Sequence, residues 1–198
     1  FVDDHEVLMT KRAKRRWAAA LAVSCALVTG WANPRAARSG EPETRIVGLF
    51  GGRANLGELG RRYSWGYLWG LEAGYQPTVI GVSWTWLVGT FPSSDSANID
   101  IELRTVEMNF ALRGRLPIAG QNTRMSATGH IGVDLVRTST PIPPDFARDY
   151  VGPAVGVGLE VVVGGTIIVN LGARYSLLGS GPAGVTVLIA VGAGSGGK

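Results

Sequence analysis

The stretch Tyr63-Ser64-Trp65-Gly66-Tyr67-Leu68-Trp69-Gly70-Leu71-Glu72-Ala73-Gly74-Tyr75 decides how the rest of the chain is read. Every odd position is aromatic or apolar, and the even positions are mostly small, with one carboxylate at Glu72. Side chains alternate across a β-strand, so these residues build one strand with a continuous greasy face and a narrow, glycine-rich one. A soluble sheet has little use for so many rings on one strand. A strand that crosses a bilayer needs about 9–11 residues with such a face.

The same period-two pattern recurs along the chain and gives eight expected strands. The first, Arg45 to Arg53, is the least regular. The third sets Ile80, Val82, Trp84, Trp86 and Val88 against Gly81, Ser83, Thr85 and Gly89, and the fourth sets Val106, Met108, Phe110, Leu112 and Leu116 against Glu107, Asn109, Arg113 and Arg115. Upstream of the fourth, Ile99, Ile101 and Leu103 have the opposite parity, which predicts a β-bulge near Thr105 or an extension beyond the bilayer. The fifth opposes Ile131, Val133 and Leu135 to His130 and Asp134, the sixth Val155 to Val163 to Gly156, Gly158 and Glu160, and the seventh Ile167 to Tyr175 to Asn170 and Arg174. The eighth carries Val185, Val187, Ile189 and Val191. After the leader, no segment has a helical period.

Connections alternate in length. Gln76-Pro77, Pro117 to Asn122 and Gly164-Gly165 are short, whereas Ala54 to Gly60, Pro92 to Asn98 and Thr138 to Asp149 are longer and polar. Short turns at one end and long loops at the other suit a barrel whose loops face outward from the outer membrane. The expected fold is therefore all-β, an eight-stranded antiparallel up-and-down transmembrane barrel over residues 44–193. Residues 1–8 read as an upstream extension. Met9 with Lys11, Arg12, Lys14, Arg15 and Arg16, the apolar run Trp17 to Val28, and Gly30-Trp31-Ala32 form a signal peptide helix over 9–32. Residues 33–43 are a proline-broken lead-in, and 194–198 a disordered tail.

Composition removes several functions. The only cysteine, Cys25, lies in the leader, so the exported chain has no disulfide, thiolate metal site or cysteine nucleophile. Five of the 19 Lys+Arg belong to the leader and three of the 15 Asp+Glu precede Met9, which leaves a slight positive excess and no nucleic-acid footprint. No cluster of ligands at metal spacing and no cofactor motif is expected. Gly192-Ala193-Gly194-Ser195-Gly196-Gly197 satisfies G-x-G-x-x-G only in letter, because no helix follows to receive a pyrophosphate.

The pattern over Thr44 to Ala193 resembles the small eight-stranded bacterial outer-membrane barrels. The resemblance is one of architecture, and it implies membrane lipid, lipopolysaccharide and the outer-membrane assembly machinery as partners. Such barrels usually end in an aromatic residue, whereas this chain ends Val191-Gly192-Ala193 and then Lys198. Outward-facing rings are expected at Tyr63, Trp65, Tyr67, Trp69, Tyr75, Trp84, Trp86, Phe110 and Tyr175. The interior is expected to hold Glu72, Glu107, Arg113, Arg115, His130, Asp134, Glu160, Asn170 and Arg174, paired into a plug because unpaired charge in a narrow lumen is costly. A soluble lipocalin-like barrel is the opposite orientation, and it would force two Trp, three Tyr and a Leu from one strand into a lumen that eight strands just fill.

Three further roles follow from these residues. The charged lumen could open as a narrow channel or transporter. Ser126, His130 and Asp134 share a strand face and offer the side-chain types of a lipid hydrolase. In lipid A deacylases, which share this architecture, such groups face the lipid, whereas here they are expected inside. The favoured expectation is a non-enzymatic envelope or surface-interaction barrel with an unknown loop partner.

Overall fold

The computed structural model describes residues 43–63, 65–93, 102–119, 123–140, 147–178 and 183–195. The expected upstream extension, the signal peptide and the lead-in through residue 42 lie outside the described residues. Eight strands follow in order: β1 (Glu43–Asn55), β2 (Trp65–Gln76), β3 (Ile80–Pro92), β4 (Glu102–Ala119), β5 (Thr123–Ser139), β6 (Ala147–Val163), β7 (Ile167–Leu177) and β8 (Ala183–Ser195). Each pairs antiparallel with its sequence neighbours, and β1 pairs with β8 from Thr44↔Ser195 to Asn55↔Gly184, which closes the barrel. Closure leaves no unpaired sheet edge for lipid to meet, the condition for a sheet to cross a membrane.

At one end the connections are tight. Gly164 and Gly165 both have positive φ and Thr166 N donates to Val163 O, so the three-residue connection between Val163 and Ile167 is entered through a conformation that only glycine adopts without strain. At the other end lie the long connections. The first of these carries a six-residue helix, α1 (Gly57–Arg62), where no helix was expected. Its period is too short to register in the sequence, and Gly60 lies close over the Asn55 backbone.

The strand boundaries correct several expectations. β1 starts at Glu43, one residue inside the expected lead-in, and β8 runs to Ser195, two residues inside the expected tail. Both ends of the expected Thr138 to Asp149 link are strand, because Arg137↔Asp149, Thr138↔Arg148 and Ser139↔Ala147 extend the β5–β6 hairpin. No bulge interrupts Thr105. The β3–β4 register runs without slip from Gly114 to Glu102, and the irregularity falls at Pro117/Ala119 instead. Leu103 breaks the parity because it points inward, against an interior that is apolar at that height. Pro153 pairs with Val133 of β5 one residue before the β6–β7 ladder begins at Ala154, a partly paired position of the kind to which proline is confined in sheets.

The two faces of the barrel are inverted relative to a water-soluble protein. Tyr67, Trp69, Leu71, Phe110, Leu112, Val157, Leu171, Ile189 and Val191 are exposed on the outside, Tyr67 by 61%. Inside, Arg53, Glu107, Asp134, Glu160 and Arg174 are almost fully buried. Trp69 meets Trp86 edge-on and Trp84 stacks on Phe110, with ring centroids 6.3 and 6.4 Å apart.

Candidate functional site

The interior is built by glycine as much as by charge. A Cβ at Gly184 would lie 2.4 Å from Arg53 Nε, one at Gly74 2.9 Å from Arg45 Nε, and one at Gly156 2.2 Å from the His130 ring. These missing side chains leave the volume that the long inward groups occupy.

Two ion networks fill that volume. Nearer the turn end, Arg45 and Arg113 each donate to Glu160 Oε2 at 2.6 Å, Arg45 also pairs with Glu72, and Arg115 bonds Glu43 at 2.7 Å and approaches Glu160. Nearer the loop end, Arg53 bonds Glu107 Oε1 at 2.5 Å and Arg174 bonds Glu107 Oε2 at 2.9 Å, with Asp134 3.6 Å from Arg174. Asp134 also accepts from Asn109 at 2.7 Å and from the Ser176 hydroxyl. Each network is electroneutral on its own: three arginines against three carboxylates below, two against two above. Matched pairing inside a low-dielectric wall is what allows so many ionised groups to be buried.

Between the networks lies a cavity of about 50 Å³, lined among others by Arg45, Glu72, Asn109, His130, Asn170 and Arg174. The inward residues expected from sequence thus divide three ways. Glu72, Arg113, Arg115 and Glu160 join the lower network, Glu107, Asp134 and Arg174 the upper, and His130 and Asn170 the cavity wall. Glu43, Arg45 and Arg53 are the members that sequence reasoning missed. All three have one parity on β1, which was the available signal, but Val47 and Leu49 share that parity and mask it.

Eight of the nine expected outward rings lie on the outer face, Trp86 half-buried against Trp69. Tyr63 does not. It precedes β2, packs half-buried against the interior apolar cluster, and its carbonyl accepts from Asn55 Nδ2 at 2.8 Å. The alternation at Tyr63 continues the β2 pattern by coincidence, because α1 has already turned the chain inward. The hydrolase set is not assembled. Asp134 bonds Asn109 and Ser176 rather than His130, and Ser126 is buried inside the barrel.

Closed antiparallel strands, an apolar exterior and an ion-paired interior define the architecture of a small transmembrane β-barrel. Solved structures of that architecture are similar to this chain. Ail, the attachment invasion locus protein of Yersinia pestis, in complex with the heparin analogue sucrose octasulfate, matches with a TM-score of 0.51 at 14% identity, over 79% of this chain and 99% of that one. The N-terminal β-barrel domain of Pseudomonas aeruginosa OprF gives 0.50 at 12% over 79% and 100%, and Neisserial surface protein A gives 0.50 at 10% over 77% and 95%. These likenesses are of fold. No protein-family model and no curated protein matches the chain.

Proposed function

We propose that the chain is an integral outer-membrane barrel that acts in envelope structure or surface contact, with its lumen closed by the two ion networks. The observation that carries this reading is the interior. It is filled by matched charges with a cavity of only about 50 Å³, so bulk passage of solute has no route, and the loop end is the part left free to meet partners. The solved barrels of similar fold include an attachment protein and a surface protein, which supports the same direction.

Membrane lipid covers the apolar outer face in this reading. Lipopolysaccharide is the partner at the upper rim, where Arg104 and Arg137 project outward just above Val106 and Leu135 on β4 and β5, with Glu102 and Asp149 beside them. Guanidinium groups at that height suit phosphate oxygens. The assembly machinery completes the partner set. No catalytic role is assigned, since the inward serine, histidine and aspartate have other environments.

Fractionation with gel migration and bilayer recording tests the proposal. The expected result is recovery in the outer membrane, faster migration before heating than after, and electrically silent planar bilayers. Recovery as a detergent-independent soluble species overturns the membrane assignment, and steady conductance overturns the closed lumen. A narrow passage for water or small ions is the second reading, favoured by the cavity between the networks.

A further inference from the structure

The interior is not uniform along the barrel axis. The most exposed ionic side chains belong to the lower network, Glu72 at 18% and Arg115 at 14%, although Glu160 at its centre is at 1%, whereas no member of the upper network exceeds 4%. The cavity lies between the networks, walled by Arg45, Glu72 and Arg113 of the lower and by Arg174 of the upper, and it reaches neither Glu107 nor Asp134. The loop-side half also contains a partial collar of buried apolar groups on β2, β3 and β4, Leu68, Leu87 and Phe91 at 0% and Leu103 at 3%, with Glu107 paired directly across from Leu87. The Phe91 ring lies over Gly66, and Leu68, Phe91 and the Thr105 hydroxyl converge above Gly89.

We propose that the Phe91 collar, and not either salt-bridge network, is the barrier that closes this barrel, and that the cavity beneath it is a one-ended vestibule for water and small ions, entered from the periplasmic side. The direction follows from the connections: the long ones mark the outer end, and the collar lies beneath them. A dry apolar constriction excludes ions by dewetting, without a charge of its own. Ion networks in contact with water from one side can exchange partners with that water, whereas the collar offers it no hydrogen bond. The collar is also beyond what charge parity alone reveals, because its residues sit on the face that otherwise reads as polar. This inference rests on the closed lumen proposed above.

Single cysteines placed in a Cys25→Ser background test it, with silver ion as the thiol probe and heat-modifiable migration as the check on folding. Expected are reaction of His130→Cys with silver supplied from the periplasmic side, at least about 100-fold slower reaction of Thr105→Cys from either side, and silent bilayers for the unsubstituted barrel. Phe91→Ala should raise the Thr105→Cys rate at least about 10-fold and admit measurable conductance, while Glu160→Gln with Phe91 intact should stay silent. Equal rates at the two cysteines, a conducting Glu160→Gln, or a folded Phe91→Ala that changes neither readout overturns the collar as barrier. Conductance in the unsubstituted barrel overturns the closed lumen itself, and the two failures are thereby distinguished. Should Phe91→Ala not fold, Leu68→Ala with Leu103→Ala makes the same opening, and the same two readouts decide.

Discussion

Arg45 and Arg113, on strands far apart around the barrel, donate to the same oxygen of Glu160, each at 2.6 Å. With Arg115 3.6 Å from the other carboxylate oxygen, Glu160 is the negative centre of three guanidinium groups. Glu160→Gln removes the charge while preserving shape, and leaves arginines buried with insufficient counter-charge. Breaking a buried pair from one side costs about 3–5 kcal/mol. Urea unfolding in lipid vesicles, followed by the loss of heat-modifiable migration, should show a destabilisation of that size. A loss below about 1 kcal/mol would mean that water, rather than Glu160, solvates these arginines.

Glycine substitutions should separate by what each faces. Gly66→Ala brings a Cβ to 2.3 Å from Phe91 Cδ1 and 2.5 Å from Thr90 O, and backbone cannot yield as a flexible side chain can. Overpacking of this kind costs about 1–3 kcal/mol. Gly48→Ala, whose nearest neighbour would be Val191 O at an ordinary 3.6 Å, should be neutral or stabilising by up to about 1 kcal/mol through the unfolded chain. The same unfolding assay should therefore give opposite signs at two strand glycines.

Alternation made most of this barrel legible, and the exceptions share a cause. Where the interior is charged, as at Glu107, Arg113 and Arg174, parity separates the faces cleanly and finds the middle of β4 to β7, although β6 begins at Ala147, eight residues before its alternation becomes readable at Val155. Where the interior is apolar, parity is silent or misleads. Val47 and Leu49 made β1 look irregular and concealed Arg45 and Arg53, and Leu103 mimicked a register slip where the ladder is regular. The grouping of charges into two neutral networks was not readable from the sequence at all. It depends on which strands stand opposite across the barrel, and no local pattern records that.

Ion pairs at the rim should contribute little. Arg137 and Asp149 approach to 3.7 Å, with both side chains well over half exposed, so solvent and salt screen them. Removing either side chain should change stability by less than about 1 kcal/mol, and the effect should vanish at high ionic strength. Arg53→Met, by contrast, leaves Glu107 buried with one partner fewer, and its cost should persist in salt. Paired unfolding measurements at low and high salt check the contrast.

The orientation of the whole barrel can be tested at one residue. Leu171 lies mid-strand between Leu159 and Ile189 on β7, faces outward, and is 55% exposed. On a soluble barrel, replacing an exposed leucine by arginine would be nearly neutral, because the guanidinium would meet water. Against hydrocarbon it costs about 2–4 kcal/mol near the bilayer midplane, falling to about 0–1 near the interfaces. Leu171→Arg should therefore destabilise the barrel in vesicles by an amount in the upper range. Thr44→Arg, at the turn-side rim beside Ser195, should fall in the lower one. Depth dependence matters more here than either number. Equal small effects at both positions would place water, not acyl chains, around the aromatic and branched face, and the inside-out arrangement of charge and hydrocarbon would then need another explanation.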